Sequence, residues 1–234
     1  MTSIFQFKQF DLDQTNCGMK ISTDGIAFGS WVDASGADRI LDVGVGSGLL
    51  SLMLAQRFPN AIIDAIEIEP TAAQRARENF ENSPWSERLN LIEEDFKNFT
   101  ATEKYDLVVS NPPYYSTRHS FSDNRRKLAR SSASLSMENL LEGARNQLTK
   151  GELAVIIPST QAEEFLNAFN HHGFHGLVEH TEIFPKLGGR ANRSMIRVSV
   201  KEHDQLCEKT SLTVCDESNT YTNQFLEQTS AFYL

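Results

Sequence analysis

Ser110-Asn111-Pro112-Pro113-Tyr114-Tyr115 is the stretch of this chain best equipped for chemistry. Neither proline has an N–H and each fixes its own φ, while Asn111 and Pro112, each preceding a proline, are pushed toward extended conformations. The result is a rigid ledge that offers acceptors without competing donors: the Asn111 side-chain oxygen and the Pro112 carbonyl. Tyr114 or Tyr115 adds an aromatic face on which a flat group can lie. Such a set suits a planar primary amine, whether an adenine, a cytosine or a glutamine amide. Asn111, Pro112, Pro113 and Tyr114 are therefore the expected catalytic residues.

Upstream of the ledge stand three further groups. Asp42-Val43-Gly44-Val45-Gly46-Ser47-Gly48 joins an apolar strand-like run to an apolar helix start. Its glycines depart from the dinucleotide pattern, which would put the third one at 49, where this chain has Leu49, and no Gly-Lys-Ser/Thr follows. A loop with an acid before it and no anion cradle favours a cationic ligand over a pyrophosphate. Glu67, at the end of the next apolar run, is placed to accept both hydroxyls of a ribose. Asp95 can accept from an adenine amino group, and Phe96 can cover its ring. Adenine, ribose, no phosphate and a positive centre together describe S-adenosylmethionine.

The elements that must position these groups follow from hydrophobic periodicity. Strands are expected at 39–44, 62–67, 89–93, 105–110 and 153–157, with helices from 49, over 70–82, 137–149 and 162–171. The period then changes: 177–184 and 195–200 read as two strands joined by a basic, glycine-rich loop too short for a crossover helix, and hence antiparallel. A short edge strand at 212–214 and a closing helix over 221–232 complete the pattern, while 114–134 is a long loop of functional length. Thr23 or Asp24 is the expected cap of a short helix starting near 24. The first twenty residues, with Phe5, Phe7 and Phe10 at mixed spacing, give no assignment. The expected fold is α/β and Rossmann-like: a mostly parallel seven-stranded sheet with a C-terminal antiparallel hairpin and helices on both faces. The glycine loop, Glu67, Asp95 and Asn111 each follow a strand, so all four groups share the carboxyl edge where such sheets bind ligands.

In order, Asp42–Gly48, Glu67, Glu94-Asp95-Phe96 and Asn111-Pro112-Pro113-Tyr114 resemble the motifs of class I methyltransferases that act on amino groups. More narrowly, Met19–Gly25, Asn82–Arg88 and Thr229–Leu234 are similar to the bacterial tRNA(Val) adenine-N6 methyltransferase family, nearly end to end. The resemblance implies an enzyme using S-adenosylmethionine on the adenosine 3′ of the anticodon. It implies a single domain over 1–234, in which 1–38 caps the cofactor and 39–234 is the Rossmann-like core. It assigns Asp24, Asp42, Gly44, Gly46, Gly48, Glu67, Asp95, Phe96 and Asn111 to the cofactor.

The net charge of −9 conceals an uneven distribution. Arg118, Arg125, Arg126, Lys127 and Arg130 crowd one stretch beside the single acid Asp123, and Lys186, Arg190, Arg193, Arg197 and Lys201 a second with no acid. The rest of the chain holds 12 basic and 30 acidic residues. An acidic body with two basic loops points to tRNA contact through Arg118, Arg125, Arg126, Lys127, Arg130, Lys186, Arg190 and Arg193. Three scattered cysteines exclude a disulfide framework and a zinc ribbon, and His171, His172 and His175 straddle a helix end, so no metal is expected. No run is long and apolar enough to cross a bilayer. A cytoplasmic monomer is expected. Three other readings share the ledge: glutamine methylation of a release factor, DNA or ribosomal-RNA adenine methylation, and a non-catalytic S-adenosylmethionine-binding module. Against the first, such enzymes carry a helical domain before the first cofactor strand, which here begins near Arg39.

Overall fold

A computed structural model describes residues 3–15, 17, 20–112, 135–202 and 207–233. The chain opens on a two-stranded antiparallel hairpin, β1 (Ile4–Gln6) and β2 (Asp11–Asp13). In the turn, Phe7 and Phe10 stack with ring centroids 4.5 Å apart, and Phe10 meets Trp85 edge-on at 5.8 Å. Three-residue strands with irregular phenylalanine spacing carry no periodic signal, so periodicity assigns nothing over these residues.

Helix α1 (Thr23–Trp31) follows, then β3 (Arg39–Val43), α2 (Leu49–Arg57), β4 (Ile62–Glu67), α3 (Pro70–Glu81), β5 (Leu89–Glu93) and β6 (Tyr105–Ser110). The N-cap of α1 is Ser22, whose hydroxyl accepts from Gly25 N at 3.1 Å, and not Thr23 or Asp24. Glu69 caps α3 by accepting from the backbone N–H groups of Thr71 and Ala72, with Pro70 in the first turn where its missing N–H costs nothing. From residue 135 onward come α4 (Met137–Gln147), β7 (Leu148–Pro158), α5 (Ala162–Ala168), β8 (Gly176–Lys186), β9 (Arg193–Ser199), β10 (Lys209–Cys215) and α6 (Asn223–Thr229). Helix α5 tightens into a 3-10 turn over Phe169–His172 and stops at Gly173, whose φ of +80° suits a residue without a Cβ.

The sheet has the order β10-β8-β9-β7-β6-β3-β4-β5. It holds eight strands instead of the expected seven, because the weak run at 212–214 extends over 209–215 and pairs parallel to β8. Only β9 is antiparallel to its neighbours β7 and β8, as the short connection required. Strands β6 and β3 lie at the centre, so the ends of both reach the carboxyl edge side by side.

Apolar side chains alternate across the sheet into two cores. One face packs Phe28 of α1, Leu52 and Met53 of α2, Ala76 and Phe80 of α3, and Phe225 of α6. The other packs Leu140 and Leu141 of α4 and Phe165 of α5 around Val108, Val155 and Ile196. Burying each of the larger of these side chains contributes about 1.5–3 kcal/mol. The chain closes by gripping its own beginning: Lys8 N donates to Phe232 O at 3.0 Å, Lys8 Nζ to Ser230 O at 2.8 Å and Gln56 Nε2 to Ala231 O at 2.8 Å.

Candidate active site

Asn111 follows β6 directly, in the wall of a cleft lined also by Lys20, Ser22, Gly25, Asp42, Gly44, Gly46 and Leu49. The residue before it is fully buried, its Ser110 hydroxyl donating to Val43 O at 2.8 Å. That bond ties the end of β6 to the end of β3, so the ledge and the glycine loop start from one rigid point. Pro112 is buried beside it. Pro113 and Tyr114 lie outside the described residues, as do Arg118, Arg125, Arg126, Lys127 and Arg130.

The glycine loop needs its glycines for separate reasons. Gly44 and Gly46 have φ of +77° and +58°, with nothing within 4 Å of where a Cβ would stand. They are conformational requirements facing open space, which leaves room for a ligand against the backbone. Gly48, at φ +91°, packs so closely that a Cβ would stand 2.7 Å from the Phe80 ring. Helix α2 starts immediately after it with no side-chain cap.

Two acids govern the loop. Glu67 accepts from Gly46 N at 2.9 Å through Oε2 and from Glu69 N at 2.9 Å through Oε1. Each oxygen retains a free lone pair for a hydroxyl donor. Asp42 is 1% exposed and accepts from the Ser51 hydroxyl at 2.6 Å. Burial pushes its carboxyl up to about 7 against the opposing Ser51 hydrogen bonds, with the Glu67 charge adding a smaller upward push. A buried carboxyl poised near neutrality in the wall of a cleft gains from a cationic neighbour, which would favour its charged form.

The N-terminal segment forms the facing wall. A Cβ on Gly25 would stand 3.8 Å from Asn111 Nδ2, so the first turn of α1 abuts the ledge. Asp24, one residue earlier, is raised by burial and partly lowered by Arg193, whose Nε lies 3.4 Å from its Oδ2. Arg193 is thus engaged with α1, whereas Lys186 and Arg190 have no ion-pair partner among the described residues. Arg197, in the same basic stretch, is only 15% exposed and binds Glu152, Glu179 and the Asp33 carbonyl; it is a structural tie.

Asp95 and Phe96 stand apart from the cleft-lining set. Asp95 accepts from Lys97 N at 3.0 Å, and the Phe96 ring is buried in the second core against Gly143, where a Cβ would stand 2.5 Å from it. Sequence reasoning missed Asn79. Its Nδ2 donates to Ser47 O and to Asp13 O, both at 2.8 Å, while its Oδ1 accepts from Asp13 N at 3.0 Å. One buried amide therefore joins the glycine loop to the N-terminal hairpin. A lone asparagine inside an amphipathic helix gives no signal of this. The cleft walls Ser22 and Gly25 do have one, since both belong to the Met19–Gly25 segment.

The residues fit a nucleoside with a positive centre: open left-handed glycines and a buried acid line one cleft, and the partly free Glu67 carboxylate, outside the lining itself, holds the loop that forms it. Among the described residues, no group of three or more His, Cys, Asp or Glu is arranged to hold a metal, and no helix is long and apolar enough to cross a membrane.

Comparison with known proteins accords with this geometry. The methyltransferase small domain model matches residues 28–172. The tRNA1(Val) (adenine(37)-N6)-methyltransferase of Aeromonas hydrophila is 40% identical over 232 residues, covering 98% of this chain and 97% of its own. The enzyme of the same name from Aliivibrio fischeri (strain ES114) is 39% identical over 235 residues, covering 100% and 99%. Among solved structures, a predicted O-methyltransferase from Agrobacterium tumefaciens superposes with a TM-score of 0.67 at 22% identity, over 89% of this chain and 96% of that one. The glycopeptide N-methyltransferase MtfA, solved with S-adenosyl-L-homocysteine, gives 0.55 at 10% identity, over 80% and 92%. The fold is that of the class I methyltransferases, the methyl donor is S-adenosylmethionine, and the chain belongs to the tRNA1(Val) (adenine(37)-N6)-methyltransferase family.

Proposed function

We infer that this chain methylates N6 of the adenosine at position 37 of tRNA1(Val), acting as a cytoplasmic monomer. The observation that carries the reading is Asn111, held at the end of β6 in the wall of the cleft that the glycine loop forms.

S-adenosylmethionine supplies an electrophilic methyl on a sulfonium. Gly44, Gly46, Asp42 and Glu67 would hold it: the glycines by leaving the backbone accessible, Glu67 by accepting ribose hydroxyls, Asp42 by its charge. Gly48 contributes by letting the loop pack on Phe80, Asp24 by closing the wall beside Gly25, and Asp95 and Phe96 by supporting the strand end next to Glu67. The Asn111 side-chain oxygen and the Pro112 carbonyl accept the two N–H bonds of the adenine amine. The lone pair, otherwise delocalised into the ring, is then localised and aimed at the methyl. Positioning and fixed dipoles supply the rate. No strong base is needed, because the ammonium product sheds its proton readily. Pro113 keeps the ledge free of a further donor and Tyr114 stacks on the base swung out of the anticodon loop, worth about 1–3 kcal/mol.

Tight electrostatic binding comes from the basic loops. Lys186 and Arg190 take phosphates, Arg193 contributes from its place beside Asp24, and Arg118, Arg125, Arg126, Lys127 and Arg130 do the same from the other loop. The test is transfer of labelled methyl from S-adenosylmethionine to tRNA, ribosomal RNA, DNA and release factor side by side. Label recovered from tRNA as N6-methyladenosine is the expected result; label only in protein overturns the substrate.

A further inference from the structure

Two large apolar side chains, Leu187 and Tyr221, stand exposed at one end of the sheet. Leu187, in the loop after β8, donates its N–H to Cys215 O at 2.8 Å, and Cys215 in turn forms an isolated antiparallel bridge with Tyr221. Leu187 and Tyr221, far apart in sequence, therefore flank the last residue of β10, one on each of its edges. They are 53% and 40% exposed. Because Cys215 pairs with Lys186 in the parallel β8–β10 ladder, the patch lies at the carboxyl edge of the sheet, the same edge as Asn111.

The Tyr221 ring is held rather than loose. It stacks near Tyr233 at a centroid distance of 6.1 Å and 23° between planes, and tilts against the buried Phe225 ring at 4.9 Å. An aromatic face braced in this way loses little freedom on binding. Lys186 and Arg190, in the same loop as Leu187, are cations without an acidic partner among the described residues. Positive charge beside a rigid exposed ring is the combination that binds single-stranded nucleic acid: cations take the backbone and the ring takes a base.

We propose that Tyr221, with Leu187 and Lys186 across the end of β10, is a stacking platform for a second unpaired base of the RNA whose adenosine is methylated. The proposal rests on the tRNA reading. In the strand order, β10 is four places from β6 and Tyr221 bridges its outer edge, one place further, which at ~4.8 Å per strand sets the platform roughly 24 Å from the ledge. That span corresponds to about seven stacked nucleotides at ~3.4 Å each. The platform therefore reads a part of the substrate beyond the target nucleotide, and it contributes to RNA affinity without touching the cofactor cleft.

The test is steady-state methyl transfer by the full chain, with a tRNA1(Val) transcript as probe and KM measured separately for RNA and for S-adenosylmethionine. Tyr221→Ala is expected to raise the RNA KM about tenfold while leaving the cofactor KM and kcat within about twofold. Tyr221→Phe keeps the ring and should behave as wild type. Leu187→Ser, in an exposed loop, should raise the RNA KM in the same direction by about threefold. Lys186→Ala should lower the salt dependence of RNA binding by about one unit of slope, whereas Tyr221→Ala should leave that slope unchanged. A wild-type enzyme active on tRNA together with an unchanged RNA KM in Tyr221→Ala and Leu187→Ser overturns the platform alone. So does a raised cofactor KM and lower melting temperature in Tyr221→Ala with Leu187→Ser silent, which would make the ring a packing residue. A wild-type chain that transfers no methyl to tRNA sinks the underlying reading, and the platform with it.

Discussion

Arg193 Nε stands 3.4 Å from Asp24 Oδ2, so the strand that follows the basic loop is tied to the helix turn abutting Asn111. Both side chains are partly exposed, and the pair is worth under about 1 kcal/mol in stability. Its importance is positional. Arg193→Ala should barely change the melting temperature but raise KM for both S-adenosylmethionine and tRNA several-fold. Lys186→Ala and Arg190→Ala should raise only the second. Two-substrate kinetics separate the cases, and a purely RNA-specific defect in Arg193→Ala would deny the link to the cleft.

Asn111→Ala should reduce kcat by about a hundredfold or more, the usual scale for losing one preorganised group aimed at a reacting centre. Calorimetric affinity for S-adenosylmethionine should stay within a few-fold. Comparable turnover in the variant would refute the ledge.

Glu67→Ala removes a hydroxyl acceptor and releases Gly46 N and Glu69 N together. Cofactor affinity is expected to fall at least tenfold, with kcat at saturating cofactor much less affected. Unchanged affinity would move the ribose contact to another residue.

The buried Asp42 carboxyl makes stability depend on pH in a definite direction. Its folded value, about 7, lies above its ordinary 3.8, with burial the main cause. Between those values the folded chain holds a proton that the unfolded chain has released, so stability falls as pH rises across that window. Asp42→Asn should remove this slope and gain stability relative to wild type at pH 8 compared with pH 5. Urea midpoints at the two pH values measure it, and parallel shifts would show that Asp42 is charged throughout.

Asn79→Ala leaves Ser47 O and both polar groups of the Asp13 backbone without their partner. A cost of about 2–4 kcal/mol is expected from the unsatisfied groups, read as a lower urea midpoint. The cofactor KM should rise as well, because the glycine loop and the N-terminal hairpin are no longer held together.

What the sequence makes legible is set by periodicity and by position along strands. Buried parallel strands are apolar runs, so β3, β4, β5 and β6 can be read from composition, and the residues after them fall at one edge by topology alone. That logic reaches Asp42, Gly44, Gly46, Glu67 and Asn111. It does not reach features made by contact between distant segments. Nothing near Asn79 announces that it will meet Asp13, 66 residues away. The stretch 183–201 reads as uniformly basic, yet Arg197 is neutralised by Glu152 and Glu179 from adjacent strands while Lys186 and Arg190 are not. Phe96 follows an acid at a strand end, and only the small Gly143 opposite it reveals that its ring is core packing. Strand β10 is longer than the apolar run 212–214 indicates because its first three residues, Lys209-Thr210-Ser211, are exposed and polar.

The grip of residues 230–232 on Lys8 and Gln56 imposes an order on biosynthesis. As the chain leaves the ribosome, the glycine loop and the β6 end emerge more than a hundred residues before the segment that clamps the hairpin from which the cleft's outer wall is hung. A nascent chain can form its central strands early, but the N-terminal hairpin and α2 are clamped only after residues 230–232 have been made.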